Sequence, residues 1–565
     1  MPRRFFKAPG NPRAPSAKGR GGEEKQAPAS VPGRERRSSS RERGARDFLP
    51  APLGQVLARI RAEFGESRSL ITRTFAAGPE DRWRAAVAYI DGLVNREEVH
   101  HHILKALMFD AELEVPRPGG LPSIEEIAAR LVSASEIQIQ YEWEPVLMGI
   151  AAGSTALFVD GVRGAVVVST PGWERRGVDE PVTESVVRGP REGFTETLRT
   201  NETLLRRRIK SPRLRFRELV LGRLSRTNAS VVYIEGLAEP SMVEEVFQRL
   251  SRVDIDAVLE SGSLEEYIQD SPFALFPQTL RTERPDVVAA NLLEGRVAVL
   301  TDNTPFALVV PVVFAQFLAS PEDYYERYLP GSLIRMLRYV AFTVSLTLPA
   351  FYVAITTFHQ ELLPTALILA LAAARQGVPF PAVVEALLME VLFEILREAG
   401  IRLPRVVGQA VSIVGALVVG EAAVSASLVS PAMVIVVAMT AIASFATPVF
   451  SFALTVRILR FAFVVSAATI GLFGIQLMGL LLLIRLVGLR SFGVPYLAPF
   501  APLRIRDLKD SIVRVPLWAM RTRPSFIPNQ DRVRQEGDLQ PRPPRENEER
   551  DGWKSRDRRR GARRP

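Results

Sequence analysis

Val406-Val-Gly-Gln-Ala-Val-Ser-Ile-Val-Gly-Ala-Leu-Val-Val-Gly-Glu421 opens a run of 51 residues, 406–456, in which Glu421 is the sole charged side chain. From Phe461 to Ile484 there is none at all. A helix crossing the hydrocarbon of a bilayer needs about 20 apolar residues. A helix on the core of a soluble protein shows a polar face every few residues instead. The segment 301–500 is therefore expected to be an all-α polytopic membrane domain, with candidate spans at 339–358, 362–376, 406–428, 432–456 and 461–485. The second of these is marginal, and Pro305–Leu318 is apolar but too short, so it reads as buried or interfacial. Basic residues at 375, 402–405, 457–460 and 485–490 mark cytoplasmic loops under the positive-inside bias. Five crossings would strand the C-terminal tail outside. Either one segment does not cross, or a break at Gly471–Gly474 folds the last one into a hairpin, which leaves four to six spans.

The mean hydropathy of +0.08 hides a charged first half and a polar end. The net charge of +10 sits in the ends: 13 Lys/Arg against 5 Asp/Glu in residues 1–50, and 14 against 8 in 521–565. Both ends are rich in Arg, Pro, Gly and Ser, so 1–50 and 501–565 are expected to be basic disordered tails. Attraction to lipid head groups is the sharper reading of that charge. Nucleic-acid binding has no accompanying motif. The start of the chain shows no apolar signal region, and the first 300 residues are expected to stay in the cytoplasm. With no cysteine, disulfides, thiolate catalysis and Cys-ligated metals are excluded.

Before the membrane segment, an α/β pattern occurs twice. Tyr89-Ile-Asp-Gly-Leu93 ends an apolar strand and leads through Asn95 and Glu98, a capping-box-like start, to a helix over Arg96–Met108. Tyr233-Ile-Glu-Gly-Leu237 repeats that order about 145 residues on, ahead of a helix over Met242–Leu250. Two related cytoplasmic subdomains are expected, at 51–150 and 216–300. Between them, 151–215 holds a hairpin around Asp160-Gly161 and then a linker dense in charge, Gly and Pro.

Glu421 is the first functional candidate, because an ionisable residue in a span faces a bundle interior or a wet cavity. Gly408, Ser412, Ala416 and Gly420 recur every fourth residue and form a stripe that permits close helix approach, with Gln409 beside it. Simple packing, with Glu421 reaching the interface, explains the same pattern. The stretch Pro379–Pro404 carries an apolar face opposite Glu385, Glu390, Glu394, Arg397 and Glu398. It reads as an amphipathic helix on or beside the membrane, whose carboxylates are either a solvated face or a ring around an axis. His100, His101 and His102 are adjacent and point in different directions, so they do not make a helical metal site. No phosphate-binding glycine loop or nucleophile elbow is present, and catalysis, a metal and a cofactor are not expected.

The linker gives the chain a family likeness. Gly172-Trp-Glu-Arg-Arg-Gly-Val-Asp-Glu-Pro-Val-Thr-Glu-Ser-Val-Val-Arg188-Gly-Pro-Arg-Glu-Gly-Phe-Thr195, then Asn201 and Leu204-Leu-Arg-Arg-Arg-Ile-Lys-Ser-Pro212, resembles the signature of GerA-type spore germination receptor A subunits. Phe276-Pro-Gln278, Thr304-Pro-Phe306, Ser320-Pro-Glu-Asp-Tyr-Tyr325, Glu385–Glu394, Leu428-Val-Ser-Pro431 and Ser491-Phe-Gly-Val-Pro-Tyr496 continue it over about 50–505. The resemblance implies an integral protein of the spore inner membrane, partnered by a transporter-like B subunit and a lipoprotein C subunit. It further implies a homo-oligomer that forms the ion-conducting path opened by germinant. On that reading Glu421, Gln409, Ser412, Ala416 and Gly420 line the path, Glu385, Glu390 and Glu394 shape a charged vestibule, and Arg188, Arg191 and Glu192 couple the soluble and membrane parts. A late-sporulation paralogue that amplifies the signal shares these motifs. A secondary transporter or sensor is the rival class, but no internal repeat is seen between 330 and 490.

Overall fold

The computed structural model describes residues 47–65, 67–78, 83–110, 121, 123–131, 136–172, 181, 184, 186–403, 420–537 and 539–541. The first α/β unit comprises α1 (Leu53–Phe64), β1 (Leu70–Ala77), β2 (Trp83–Ile90), α2 (Arg96–Glu98, continued by a π-helical Val99–Asp110), α3 (Ile124–Glu126, continued by Ile127–Leu131), β3 (Ile137–Gln140), α4 (Trp143–Ala151), β4 (Ser154–Val159) and β5 (Ala165–Ser169). The expected cap of α2 is present: Asn95 Oδ1 accepts from the Glu97 and Glu98 N–H groups at 3.0 and 3.4 Å. Strands β2, β4 and β5 read as continuous apolar runs because helices cover both faces of the sheet. Ile60, Trp143 and Ile150 pack on one face and Ile103, Leu107 and Ile127 on the other.

The second unit repeats this plan with α5 (Leu198–Arg208), β6 (Leu214–Leu221), β7 (Thr227–Ile234), α6 (Pro240–Ser251), α7 (Ser261–Ile268), β8 (Leu280–Thr282), α8 (Pro285–Leu292), β9 (Val297–Thr301) and β10 (Ala307–Val310). Strand orders are β1-β2-β4-β5-β3 and β6-β7-β9-β10-β8, so the second is the first shifted by five. The leading pairs share one register, Leu70↔Ile90 and Leu214↔Ile234, at an offset of 144 residues. The duplication is thus complete in topology. The hairpin expected in a separate 151–215 segment belongs to the first sheet as β4 and β5, and α5 covers the second sheet.

Helices follow: α9 (Glu322–Tyr325), α10 (Tyr328–Thr357), α11 (Thr365–Arg375), α12 (Ala382–Arg402), α13 (Pro431–Phe445) and α14 (Phe450–Gly488). Among the described residues, α10 and α14 are long and apolar enough to cross a membrane. The expected span 362–376 is α11, whose 11 residues rise only about 16 Å. The expected span 432–456 is divided at 446–449, where Pro448 supplies no N–H and biases Thr447 away from helix. The expected span 406–428 falls mostly outside the described residues, which resume at Gly420. α14 reverses at Ile470 (φ −135°) and Gly471 (φ 63°, ψ −142°), a conformation that a side chain opposes. Ser466 Oγ then donates to the Gly474 carbonyl at 2.8 Å, across the bend. The expected fold-back at Gly471–Gly474 is present, alongside an α11 too short to cross.

The hairpin fixes the C-terminus. Thr455 near the start of α14 donates to the Leu275 carbonyl of the second α/β unit at 2.6 Å. Past its end, β11 (Arg490–Ser491) and β12 (Val494–Pro495) return to the same unit, with Ser491 Oγ on the Gln278 carbonyl at 2.7 Å. The tail expected to be disordered from 501 is ordered through 537: Arg534 pairs with Glu294 at 2.7 Å and Gln530 N–H bonds the Leu237 carbonyl at 2.9 Å. At the other end Leu49 is buried and its N–H bonds the Tyr141 carbonyl at 2.9 Å, so structure begins before residue 51. Composition misjudged both margins because their order comes from docking onto neighbours, not from a core of their own.

Candidate functional site

The helical half buries its charge and exposes its apolar side chains. On α12, Val384, Leu388, Val391 and Ile395 are exposed, at i, i+4, i+7 and i+11. Glu385 and Glu390 are fully buried. That polarity is the reverse of a water-soluble amphipathic helix, so the solvated-face reading of these acids does not hold for Glu385 and Glu390. Glu385 pairs with Arg375 at 3.1 Å and accepts the Ser430 N–H at the start of α13 at 2.8 Å. Glu390 pairs with Arg460 of α14 at 2.5 Å, and Arg460 Nε also donates to the Ser345 carbonyl of α10 at 2.8 Å. Glu394, part-exposed, pairs with Arg457 at 2.9 Å. Arg397 closes the series on Ser444 Oγ at 3.0 Å, its guanidinium between the rings of Phe393 and Phe445. From Glu385 to Arg397 this seam runs about 18 Å along the helix axis, more than half the hydrocarbon thickness of a bilayer.

The basic half of the seam departs from the expectation of loop markers: Arg375, Arg457 and Arg460 each pair with a carboxylate of α12. A signal for them existed: Arg457 and Arg460 sit three apart on one helical face, matching Glu390 and Glu394 at four apart.

A second ionic node ties the domain-side end of α10. Asp323 accepts from Arg335 at 2.9 Å and Arg338 at 2.8 Å, and Asp510 pairs with Arg335 at 3.1 Å and accepts from Tyr324 OH at 3.0 Å. Burial raises the Asp510 carboxyl above its usual range, against the pull of Arg335. Burial likewise raises the Tyr324 phenol. Asp323 and Tyr324 fall within the quoted Ser320–Tyr325 motif, but Arg335, Arg338 and Asp510 do not stand out in the sequence, since each alone is an ordinary charge.

The linker residues bridge the same region. Arg188 reaches Glu326, two residues before α10, at 3.4 Å, and Val187 N–H bonds Glu322 Oε1 at 2.5 Å. Glu192 holds Arg207 and Arg208 at the end of α5, at 2.7 Å each, and Arg191 is also engaged. Asn201 pins the linker with three bonds to Thr195, through its N–H, hydroxyl and carbonyl.

Between α8, α9, the 507–511 segment and the turn at Pro448–Val449 lies a cavity of about 780 Å³. At its edge Glu184 is pushed up to about 7 by burial.

Of the expected path residues, Glu421 is exposed on a helical turn at 420–425 and Gly420 is buried. Gln409, Ser412 and Ala416 lie outside the described residues. The three histidines lie on the π-helical part of α2, and no cluster fit for a metal occurs among the described residues.

The model of the Bacillus/Clostridium GerA spore germination protein family matches residues 58–526. The chain belongs to the GerA family. Spore germination protein KA of Bacillus subtilis (strain 168) is 46% identical over 499 residues, covering 88% of this chain and 91% of that one. The uncharacterized membrane protein YfkQ of the same strain is 45% identical over 438 residues, covering 78% and 84%. The crystal structure of the N-terminal domain of the A subunit of the Bacillus megaterium spore germinant receptor GerK3 is 31% identical, with a TM-score of 0.39, covering 48% of this chain and 99% of that domain. Two apolar helices of spanning length, together with these relatives, support membrane association for this GerA-family chain.

Proposed function

We propose that this chain is the membrane subunit of a nutrient-germinant receptor in the spore inner membrane, and that it turns germinant binding into ion release. Its α/β half faces the cytoplasm, copies of the helical half group around an ion path, and a transporter-like and a lipoprotein subunit complete the receptor. One observation carries the transduction step. The bond from Thr455 to the Leu275 carbonyl and the seam residues Arg457 and Arg460 share two turns of α14.

The joint beside that bond is stiff. Phe452 stacks on Phe317 at 5.2 Å with the rings 9° apart, and Phe276, Phe314 and Phe342 pack on the same ring. A close-packed aromatic joint transmits displacement rather than absorbing it. A shift of the second α/β unit therefore moves α14 along α12 and exchanges the partners of Glu390 and Glu394. Buried ion pairs have few intermediate arrangements of low energy, which makes the seam a two-position latch. In this reading the segment 406–428, with Gln409, Ser412, Ala416, Gly420 and Glu421, lines the path that the latch opens. Glu385, Glu390 and Glu394 act as latch groups before they act as vestibule.

The cysteine-free sequence allows a direct test. Leu275→Cys with Thr455→Cys exchanges the bond for a cross-link: oxidised spores are expected to release ions on germinant as the parent does, and reduced spores, with neither hydroxyl bond nor cross-link, to release them more slowly. Loss of release on oxidation, or release at the parent rate from the reduced variant, would remove the joint from the mechanism.

A further inference from the structure

We propose that the domain-side ends of the membrane helices carry a collar that seats in the head-group layer of an anionic bilayer, formed chiefly by residues 500–517. The proposal rests on α10 and α14 being membrane spans, and goes beyond it by assigning a lipid contact to a segment outside them.

Three bonds fix the height of the segment. Ser332 Oγ donates to the Arg514 carbonyl at 2.9 Å, Arg335 Nη1 to the Asp510 carbonyl at 2.8 Å, and Tyr339 OH to the Ser511 carbonyl at 3.3 Å. Phe500 adds an edge-on contact with the Tyr339 ring at 6.4 Å. The segment therefore lies against residues 332–339 of a 30-residue helix. About 20 residues suffice to cross hydrocarbon. The first ten residues of α10 are thus left for the head-group region on the domain side.

At that height the surface is unsuited to water. Leu503 is 65% exposed, Ile505 75%, Val513 42% and Leu517 53%. Phe273 is 97% exposed and lies two residues from Leu275, which is bonded to α14. The cations there are unpaired: Arg327 just before α10, Arg490 just after α14, and Arg506 within the segment are exposed and have no acidic partner among the described residues. Apolar tips flanked by free guanidinium groups are the pattern of segments that lie in a membrane interface. Cations at that depth select anionic lipid, whose surface potential falls off within a Debye length. The collar explains why an Arg-rich stretch with few core residues is ordered. It is strapped to α10 on one side and covered by head groups on the other.

The test uses the full chain in vesicles of phosphatidylcholine and phosphatidylglycerol, with nitroxide labels at Ile505→Cys and Val513→Cys. Leu481→Cys on α14 reports lipid and Leu224→Cys on the second α/β unit reports water, both sites being exposed in the protein. Oxygen access is expected to exceed nickel-chelate access at 505 and 513, close to the behaviour of 481. That excess is expected to fall toward the value at 224 in phosphatidylcholine alone, or when Arg327→Gln and Arg506→Gln are combined. Nickel access at 505 and 513 equal to that at 224, with 481 in lipid, overturns the collar and leaves the spans standing. Shielding of 505 and 513 from both reagents also overturns it and assigns the surface to a protein neighbour. Nickel access at 481 overturns the spans, and the collar with them.

Discussion

Arg460→Met removes one partner of the Glu390–Arg460 pair, in which the two side chains are 2% and 3% exposed and 2.5 Å apart. Glu390 is then left without its partner in a region of low dielectric, at a cost of about 3–5 kcal/mol. The Ser345 carbonyl loses its bond from Arg460 Nε, adding about 1 kcal/mol. Replacing both partners by apolar groups of similar size removes the stranded group, and such exchanges are near neutral or stabilising. Glu390→Leu with Arg460→Met is therefore expected to unfold close to the parent, far from the sum of the two single variants. Unfolding in mixed SDS–detergent micelles reads both values, and the non-additivity is the coupling energy of the pair. The functional outcome separates latch from scaffold. The double variant is expected to fold but to lose germinant-triggered ion release, because the partners that exchange on opening are gone. A single variant costing under about 0.5 kcal/mol, the range of surface substitutions, would refute the burial argument. A double variant that is stable and releases ions normally would refute the latch.

Other outcomes follow from the same geometry. Burial pushes the Glu202 carboxyl up to about 7 from its ordinary value of 4.5. A raised folded pKa gives stability that is fully present below pH 4.5 and is lost as pH rises to 7, here about 3 kcal/mol for that shift. Glu202→Gln is expected to flatten this decline in denaturant titrations, and an unchanged slope would contradict it. Asn201→Ala strips three bonds from Thr195 and should cost about 1–3 kcal/mol, with faster amide exchange across 192–197. Glu421→Ala should slow ion efflux at saturating germinant; unchanged rates would remove Glu421 from the path.

Local features were legible in the sequence and long-range pairings were not. The Asn95 cap and the turn at Asp160-Gly161 need only neighbours in the chain, and both form as read. The echo of Tyr89–Leu93 in Tyr233–Leu237 revealed the duplication because both strings occupy the end of the same strand in each unit. The basic seam residues were hidden because a charge beside an apolar run has two physical solutions, a loop in water or a partner inside. Choosing between them requires knowing that α12 lies against α14. The pattern singles out the acids of α12, but a solvated face describes Glu394 and Glu398 and not the buried Glu385 and Glu390. Periodicity defines two faces of a helix and not which of them meets protein. The order of 501–537 was invisible for a related reason: its partners, Ser332 and Glu294 among them, are more than 180 residues away.

The passage of the chain through lipid, out and back on the side of the α/β units, is open to one direct measurement. Single cysteines at Leu224, Val533 and Glu361, each exposed, are placed in the cysteine-free chain and offered an impermeant maleimide in sealed, oriented vesicles. Labelling of 224 and 533 from one face and of 361 from the other is the predicted result. Val533 reacting from the face of Glu361, or all three reacting from a single face, would contradict it.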